Sequence, residues 1–106
     1  MEPGRRSIYV YELSRRIGEI LHYTWDPIGV RGTPQARDEY DSYIPWVLSL
    51  LESGSSEPEI ADCLTGIAAQ SIGLEPTEEM RARDTQTARV LIEHFTALKK
   101  QYEEGA

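Results

Sequence analysis

The sequence predicts a small all-α protein, a four-helix bundle with one long ordered loop between its first and second helices. Apolar residues recur at three- and four-residue spacing in four segments, and no strand pattern extends beyond a few residues. Proline and glycine punctuate the gaps between the four segments. The chain has 106 residues, which suits one domain with a single core. Residues 1–6 and 103–106 are expected to fray.

The first helix is predicted over about residues 7–23, with the Ser7 hydroxyl capping its start. Tyr9 and Tyr11 fall outside its narrow apolar stripe. The residues of that stripe, predicted to face the core, are Val10, Leu13, Ile17, Ile20 and Leu21.

The segment that follows, residues 25–34, contains two prolines and two glycines and therefore requires turns. Because Trp25, Ile28 and Val30 are apolar, we expect this loop to fold back over one end of the core. Trp25 is expected to enter the core itself, and Asp26 before Pro27 is typical of a turn. The residues predicted to form this structural loop are Trp25, Asp26, Pro27 and Gly29.

The second helix is predicted over about residues 42–53. Pro45 must lie in its first turn, where the missing N–H has no partner to lose. That position makes Asp41 or Ser42 the expected cap, and Gly54 the expected left-handed stop. Its apolar stripe consists of Ile44, Val47, Leu48 and Leu51.

Two further helices have clear start signals. Ser56 lies three residues before Glu59, the spacing of a capping box, so the third helix should begin there and end at Gly73. Thr77 is the expected cap of the fourth helix. That helix presents one apolar stripe, made of Thr87, Leu91, Phe95, Leu98 and Tyr102.

The net charge of −7 is distributed unevenly along the chain. Residues 38–79 contain ten acidic residues and no Lys or Arg, whereas residues 1–37 carry six Arg against four acids, and residues 80–106 five bases against four acids. A field of one sign steers basic partners and repels nucleic-acid phosphates. We therefore expect a basic protein partner and no nucleic acid. A solvated surface that only aids solubility is the alternative.

The sequence contains no targeting or membrane signal. No apolar run approaches the roughly 20 residues that span a bilayer, and charged residues interrupt the segment after the N-terminus, unlike the apolar core of a secretion signal. We expect a cytoplasmic protein without a membrane partner. Cys63 is the only cysteine, which excludes an internal disulfide and a cysteine-based metal site.

The common catalytic motifs are also missing. The sequence has no Gly-rich phosphate loop, nucleophile elbow or His-Glu-x-x-His pattern. Cys63 lies in an apolar stripe, which is typical of an inert thiol rather than a nucleophile paired with His94. We therefore expect no enzyme activity, catalytic residue, metal or cofactor. The alternative is a carboxylate enzyme holding Mg²⁺ or Ca²⁺; its ligands would be Asp26, Asp38, Glu39 and Asp41.

Aromatic residues accompany the start of the acidic stretch. Tyr40, Tyr43 and Trp46 follow one another at three-residue spacing, which places them on one edge of a helix. Tyr and Trp beside acids are typical of recognition surfaces. The alternative is a structural role, in which such rings pack a loop against the helical bundle. The residues predicted to bind a partner are Asp38, Glu39, Tyr40, Asp41, Tyr43 and Trp46.

Several of these segments resemble a group of small, largely uncharacterised bacterial helical proteins. The resemblance rests on W-D-P-I-G-V at 25–30, on P-Q-A-R-D-E-Y-D-S-Y-I-P at 34–45, on L-L-E-S-G-S-S at 50–56, and on E-I at 59–60 and I-G-L at 72–74. These segments lie within residues 25–74, roughly half of the chain. Small acidic proteins similar to these occur as immunity proteins, encoded beside a toxin that they neutralise. The resemblance therefore implies an inhibitor of a cognate toxin. A self-associating structural or regulatory subunit remains the other possibility, and the sequence leaves the oligomeric state open.

Overall fold

The computed structural model describes residues 3–27, 29 and 38–104 of the chain. The four α-helices are α1 (Pro3–Ile20), α2 (Ile44–Glu52), α3 (Glu57–Gly66) and α4 (Glu78–Glu104). The shorter elements are two π-helical turns, Leu21–Trp25 after α1 and Ile67–Ser71 after α3, and a 3₁₀ turn, Asp41–Tyr43, before α2. No strand occurs in these residues, so the predicted all-α bundle is confirmed.

The 27-residue helix α4 is the scaffold of the bundle, since α1 and α3 both pack along it. The predicted stripes meet between these helices: Leu13 and Ile17 of α1, Leu64 of α3 and Leu91 of α4 are all almost completely buried. Trp25 is 0% exposed, which confirms its predicted place in the core. Neither α4 nor any other helix within the described residues is long and apolar enough to cross a membrane.

Helix α1 starts earlier than predicted. It begins at Pro3, so Ser7 lies inside the helix rather than at its cap, and residues 3–6 are helical rather than frayed. The reason is tertiary: Arg5 Nε donates a hydrogen bond of 3.1 Å to the carbonyl of Tyr102, and Arg6 pairs with Glu52 at 2.8 Å. The Arg5 bond also reaches the far end of α4, which is helical to Glu104.

Most of the predicted helix boundaries depend on local signals and are confirmed. Ser56 Oγ accepts a hydrogen bond from the Glu59 backbone N–H, and the Glu59 carboxylate accepts one from the Ser56 N–H, which completes the capping box. Thr77 caps α4, with Met80 N donating to its Oγ1 at 3.1 Å. Gly54 has φ 76°, the left-handed conformation that ends α2.

The start of α2 differs from the prediction. Its cap position is Tyr43, and neither Asp41 nor Ser42 caps it through a side chain, because the 3₁₀ turn leads directly into the helix. Gly18 sets how closely this region approaches α1. A Cβ at Gly18 would lie 3.1 Å from Ile44 Cδ1 and 3.7 Å from Asp41 Oδ1. Because glycine has no Cβ, Asp41 of the 3₁₀ turn and Ile44 at the start of α2 can pack closely against α1 at Gly18.

Candidate functional site

Four predicted partner-binding residues of the segment 38–46 are exposed, and we name them together the acidic surface: Asp38, Glu39, Asp41 and Trp46. The three carboxylates are exposed, and none of them forms an ion pair with a described residue. Trp46 remains 53% exposed. Sequence reasoning placed these four residues correctly on the outside of the molecule.

Two other acids of the cation-free stretch do have basic partners from other parts of the chain. Glu52 pairs with Arg6 at 2.8 Å, and Glu57 pairs with Arg89 at 3.2 Å. Such surface pairs contribute little to stability, because solvent and salt screen exposed charges. They do compensate charge locally, whereas Asp38, Glu39 and Asp41 form no ion pair with a described residue.

Tyr40 does not belong to the surface, and its predicted role in partner binding is wrong. The side chain is only 2% exposed, its hydroxyl donates to Asp26 Oδ1 at 2.9 Å, and its ring lies 5.3 Å from that of Trp25. Tyrosine can be buried in this way because its polar tip finds a partner. Tyr43 is half-buried with its ring at 6.2 Å from Trp25, so only part of it faces outward.

Asp26 forms the base of the predicted structural loop. It is 2% exposed and adopts φ 36°, and its carbonyl accepts a hydrogen bond of 3.2 Å from Gly29 N, so the predicted turn is present. Left-handed backbone of this kind is better tolerated by Asp than by most residues. Pro27 is half-buried beside it. Ile28 and Val30, the other apolar residues of the predicted lid, lie outside the described residues.

The proposed carboxylate metal site is not formed. Asp26 is buried against Tyr40, whereas Asp38, Glu39 and Asp41 are exposed. Across residues 3–27, 29 and 38–104, no three His, Cys, Asp or Glu side chains come close enough together to hold a metal ion. The four carboxylates of the predicted alternative are therefore not brought together into one site in the described part of the chain.

A buried polar cluster links the end of α1 to α3 and α4. Trp25 Nε1 donates to Asp84 Oδ1 at 2.9 Å, and Thr65 Oγ1 lies 2.6 Å from Asp84 Oδ2. Asp84 is only 3% exposed. Sequence reasoning missed this residue. Asp84 lies one turn before Thr87 and continues the apolar stripe of α4, and this position was the signal that could have predicted its burial.

The guanidinium of Arg83 binds the main chain of the same turn. Its Nη1 donates to the carbonyls of Trp25 at 3.3 Å and Asp26 at 3.4 Å. These groups follow a π-helical turn, where main-chain carbonyls lack their usual helical partners. Arg83 and Asp84 together therefore attach the start of the loop to α4.

His22 is an unusual polar residue in the same π-helical turn. It is 3% exposed, and its Nδ1 finds no hydrogen-bond partner among the described residues. A buried unsatisfied polar atom costs about 1–3 kcal/mol. We therefore expect His22→Leu to raise the free energy of unfolding by about 1 kcal/mol, measured by urea denaturation. His94→Leu, at an exposed site on α4, should change it by less than about 0.5 kcal/mol; a clear loss of stability in His22→Leu would contradict this account.

A second apolar area lies on the outer face of α1. Ile8 is 60% exposed and Tyr11 is 72% exposed, and their three-residue spacing places them on one side of the helix. An open concavity of about 500 Å³ adjoins Tyr11. The residues that line this concavity are Arg6, Ser7, Val10 and Tyr11.

Cys63 and His94 do not form a reactive pair. Cys63 is half-buried, and burial raises the pKa of its thiol, which disfavours the thiolate that a nucleophile requires. His94 is exposed on α4. Neither side chain is involved in the acidic surface or in the buried cluster at Asp84.

Comparison of the chain with models of protein families, with curated proteins and with solved structures found no match. The resemblance of residues 25–30 and 38–43 to small bacterial helical proteins therefore stays a prediction.

Proposed function

We propose that this chain is a protein-binding module that binds a basic protein through its acidic surface and neutralises a toxin domain, as an immunity protein does. The observation that carries the proposal is Trp46, a large aromatic residue that is 53% exposed in the same segment, 38–46, as three exposed carboxylates that form no ion pair with a described residue. Tryptophan is among the residues that most often dominate the energy of protein interfaces. We place this encounter in the cytoplasm as part of the same proposal.

The charge distribution supports a basic partner. Residues 38–79 carry ten acids without one Lys or Arg, and Asp38, Glu39 and Asp41 keep their charges available at the surface. Complementary charge accelerates the diffusional encounter and favours one class of partner over another. Trp46 would then supply the apolar contact that slows dissociation.

The contacts beneath the acidic surface support it as a preformed site. The Tyr40 hydroxyl bound to Asp26 fixes the segment immediately before the 3₁₀ turn, and the close approach at Gly18 fixes the turn itself. A surface that is ordered before association loses less conformational entropy on binding. Tyr40 thus acts beneath the surface rather than on it.

A self-associating subunit is the second candidate, and the exposed Ile8 and Tyr11 favour it. In that case copies of the chain would meet through the outer face of α1, and Trp46 would have no part in the contact. Light scattering at increasing concentration distinguishes the two: the mass rises for self-association and stays that of one chain for the preferred function.

The proposal is tested by affinity capture from the native host with three baits: the natural chain, Trp46→Ala and Tyr11→Ala. We expect a basic protein in stoichiometric amount on the natural and Tyr11→Ala baits and a strongly reduced amount on Trp46→Ala. The captured protein is then purified and its binding measured directly. Recovery of no stoichiometric partner, or equal capture by all three baits, would contradict the proposal.

A further inference from the structure

The hydrogen bonds in the buried cluster at Asp84 need one more proton than the cluster holds when the carboxylate is ionised. Thr65 has one hydroxyl proton, yet its Oγ1 lies 3.0 Å from the Ala61 carbonyl oxygen and 2.6 Å from Asp84 Oδ2. If Asp84 is ionised, both neighbours are acceptors competing for that one proton. If Asp84 is protonated on Oδ2, it donates to Thr65, which in turn donates to Ala61.

The other carboxyl oxygen fits the protonated form equally well. Asp84 Oδ1 accepts from Trp25 Nε1 at 2.9 Å and needs no proton of its own. A neutral Asp84 would therefore complete one directed chain of hydrogen bonds, from the indole through the carboxyl and hydroxyl groups to the α3 backbone. Fully satisfied buried chains of this kind hold their elements rigidly together.

The surroundings of Asp84 favour the neutral form. Burial raises the pKa of Asp84, which hydrogen bonds from Thr65 and Trp25 and the positive charge of Arg83 only partly oppose. On the turn that faces it, Asp26 is engaged by Tyr40, and the other titratable residues are His22 and the exposed Tyr23. Helix α3 faces it with the neutral Thr65. Arg83, the one described cation that acts on Asp84, is itself directed to the carbonyls of the turn.

We propose that Asp84 is a proton-binding site in the core, held as a neutral carboxylic acid whose Oδ2–H donates to Thr65, and that loss of this proton loosens the junction of α3, α4 and the Trp25 turn. The Trp25 ring contacts those of Tyr40 and Tyr43 at 5.3 and 6.2 Å, so the proton also affects how firmly the segment that carries the acidic surface is attached. This inference does not depend on the identity of any partner.

The sign of the pH dependence follows from linkage. A carboxyl group whose pKa is raised by folding binds its proton more tightly in the folded state. Its contribution to stability is fully present below the unfolded-state value, near 3.8, and is lost as the pH rises through the folded-state value. The unfolding equilibrium constant should therefore rise with pH across this window, by about tenfold for each unit by which the pKa is raised.

The test compares urea unfolding of the natural chain, Asp84→Asn and Asp84→Ala between about pH 4 and about pH 8. The Asn side chain imitates the neutral acid, with an oxygen for Trp25 and a permanent N–H donor for Thr65. We expect Asp84→Asn to be at least as stable as the natural chain near pH 8 and to lose the Asp84 part of the pH dependence. Asp84→Ala also lacks the titrating group but leaves Trp25 Nε1 without its acceptor, so it should be less stable than Asp84→Asn at every pH.

Direct titration of the natural chain keeps the proposal testable if a variant does not fold. The ¹³C chemical shift of the Asp84 carboxyl carbon reports its ionisation, and we expect its midpoint clearly above that of an ordinary aspartate. A midpoint at or below the ordinary value would overturn the proposal. So would an Asp84→Asn variant that is less stable than the natural chain near pH 8 and retains the full pH dependence.

Discussion

Replacement of Trp25 by alanine is expected to lower the free energy of unfolding by about 3–5 kcal/mol. The side chain is completely buried, and its ring contacts those of Tyr40 and Tyr43 at centroid distances of 5.3 and 6.2 Å. Removing it leaves a large cavity where the end of α1 meets α4, and takes from Asp84 the N–H that binds Oδ1. Because domains of this size are stable by only about 5–15 kcal/mol, such a loss brings the chain close to unfolding.

Urea denaturation followed by circular dichroism measures this effect, and two variants separate its parts. Trp25→Phe keeps an apolar ring but removes the N–H, so about 1–3 kcal/mol of the loss should remain. Trp46→Ala removes the other tryptophan of the chain, which is 53% exposed, and should change stability by less than about 0.5 kcal/mol. A loss below about 1 kcal/mol for Trp25→Ala would show that the turn is not anchored as described.

Trp46→Ala is expected to act on binding instead of stability. If Trp46 is the aromatic anchor of the acidic surface, its truncation should cost about 2 kcal/mol or more of binding free energy, roughly a 30-fold weaker Kd. The change should lie mainly in the dissociation rate, because an anchor acts after the partners have met. Surface plasmon resonance with the partner purified from the host measures both rate constants.

Tyr11→Ala is the matched control for this experiment. Tyr11 is 72% exposed, an even larger fraction than Trp46, but it lies on α1 away from the predicted partner-binding residues. Its removal should leave the Kd within about twofold of the natural value. Equal losses of affinity in the two variants would mean that exposed aromatic residues contribute to binding wherever they lie on the surface. That result would contradict the proposed role of Trp46 as an anchor.

The features that could be predicted from the sequence are those that depend on neighbours within one or two helical turns. The capping box of Ser56 and Glu59, the Thr77 cap and the left-handed Gly54 all involve groups at most three residues apart. Four apolar stripes at helical spacing were sufficient to predict four helices. The burial of Trp25 was predicted because a large apolar ring at the start of a turn-rich segment is expected to pack on the core, although the residue itself ends the π-helical turn Leu21–Trp25.

Long-range contacts explain what could not be predicted. Tyr40 appeared to share an edge with Trp46, but its hydroxyl binds Asp26, 14 residues earlier, and this bond turns the ring inward. The early start of α1 depends on Arg5 and Tyr102, which are 97 residues apart. No spacing rule connects such pairs, because their contact is a product of the folded bundle.

The candidate site was predicted in part for the same reason. Carboxylates are usually exposed, so Asp38, Glu39 and Asp41 were correctly placed from residue type alone. Asp84 shows the limit of that rule, since it is buried among the residues of an apolar stripe and satisfied by Trp25 and Thr65. The periodicity of α4 was sufficient to predict that Asp84 faces the core, but it gave no indication that Trp25 and Thr65 would bind the carboxyl group.

The most direct test of the acidic surface is the association rate with the purified partner as a function of ionic strength. We predict that Asp38→Asn, Glu39→Gln and Asp41→Asn together slow association by about tenfold or more at low salt and flatten its salt dependence. A control variant removes three exposed charges elsewhere on the chain, through Asp62→Asn, Glu93→Gln and Glu103→Gln, and should retain most of the natural rate. An association rate in the first variant that equals the natural rate at low salt, or that falls no further than in the control, would contradict the account.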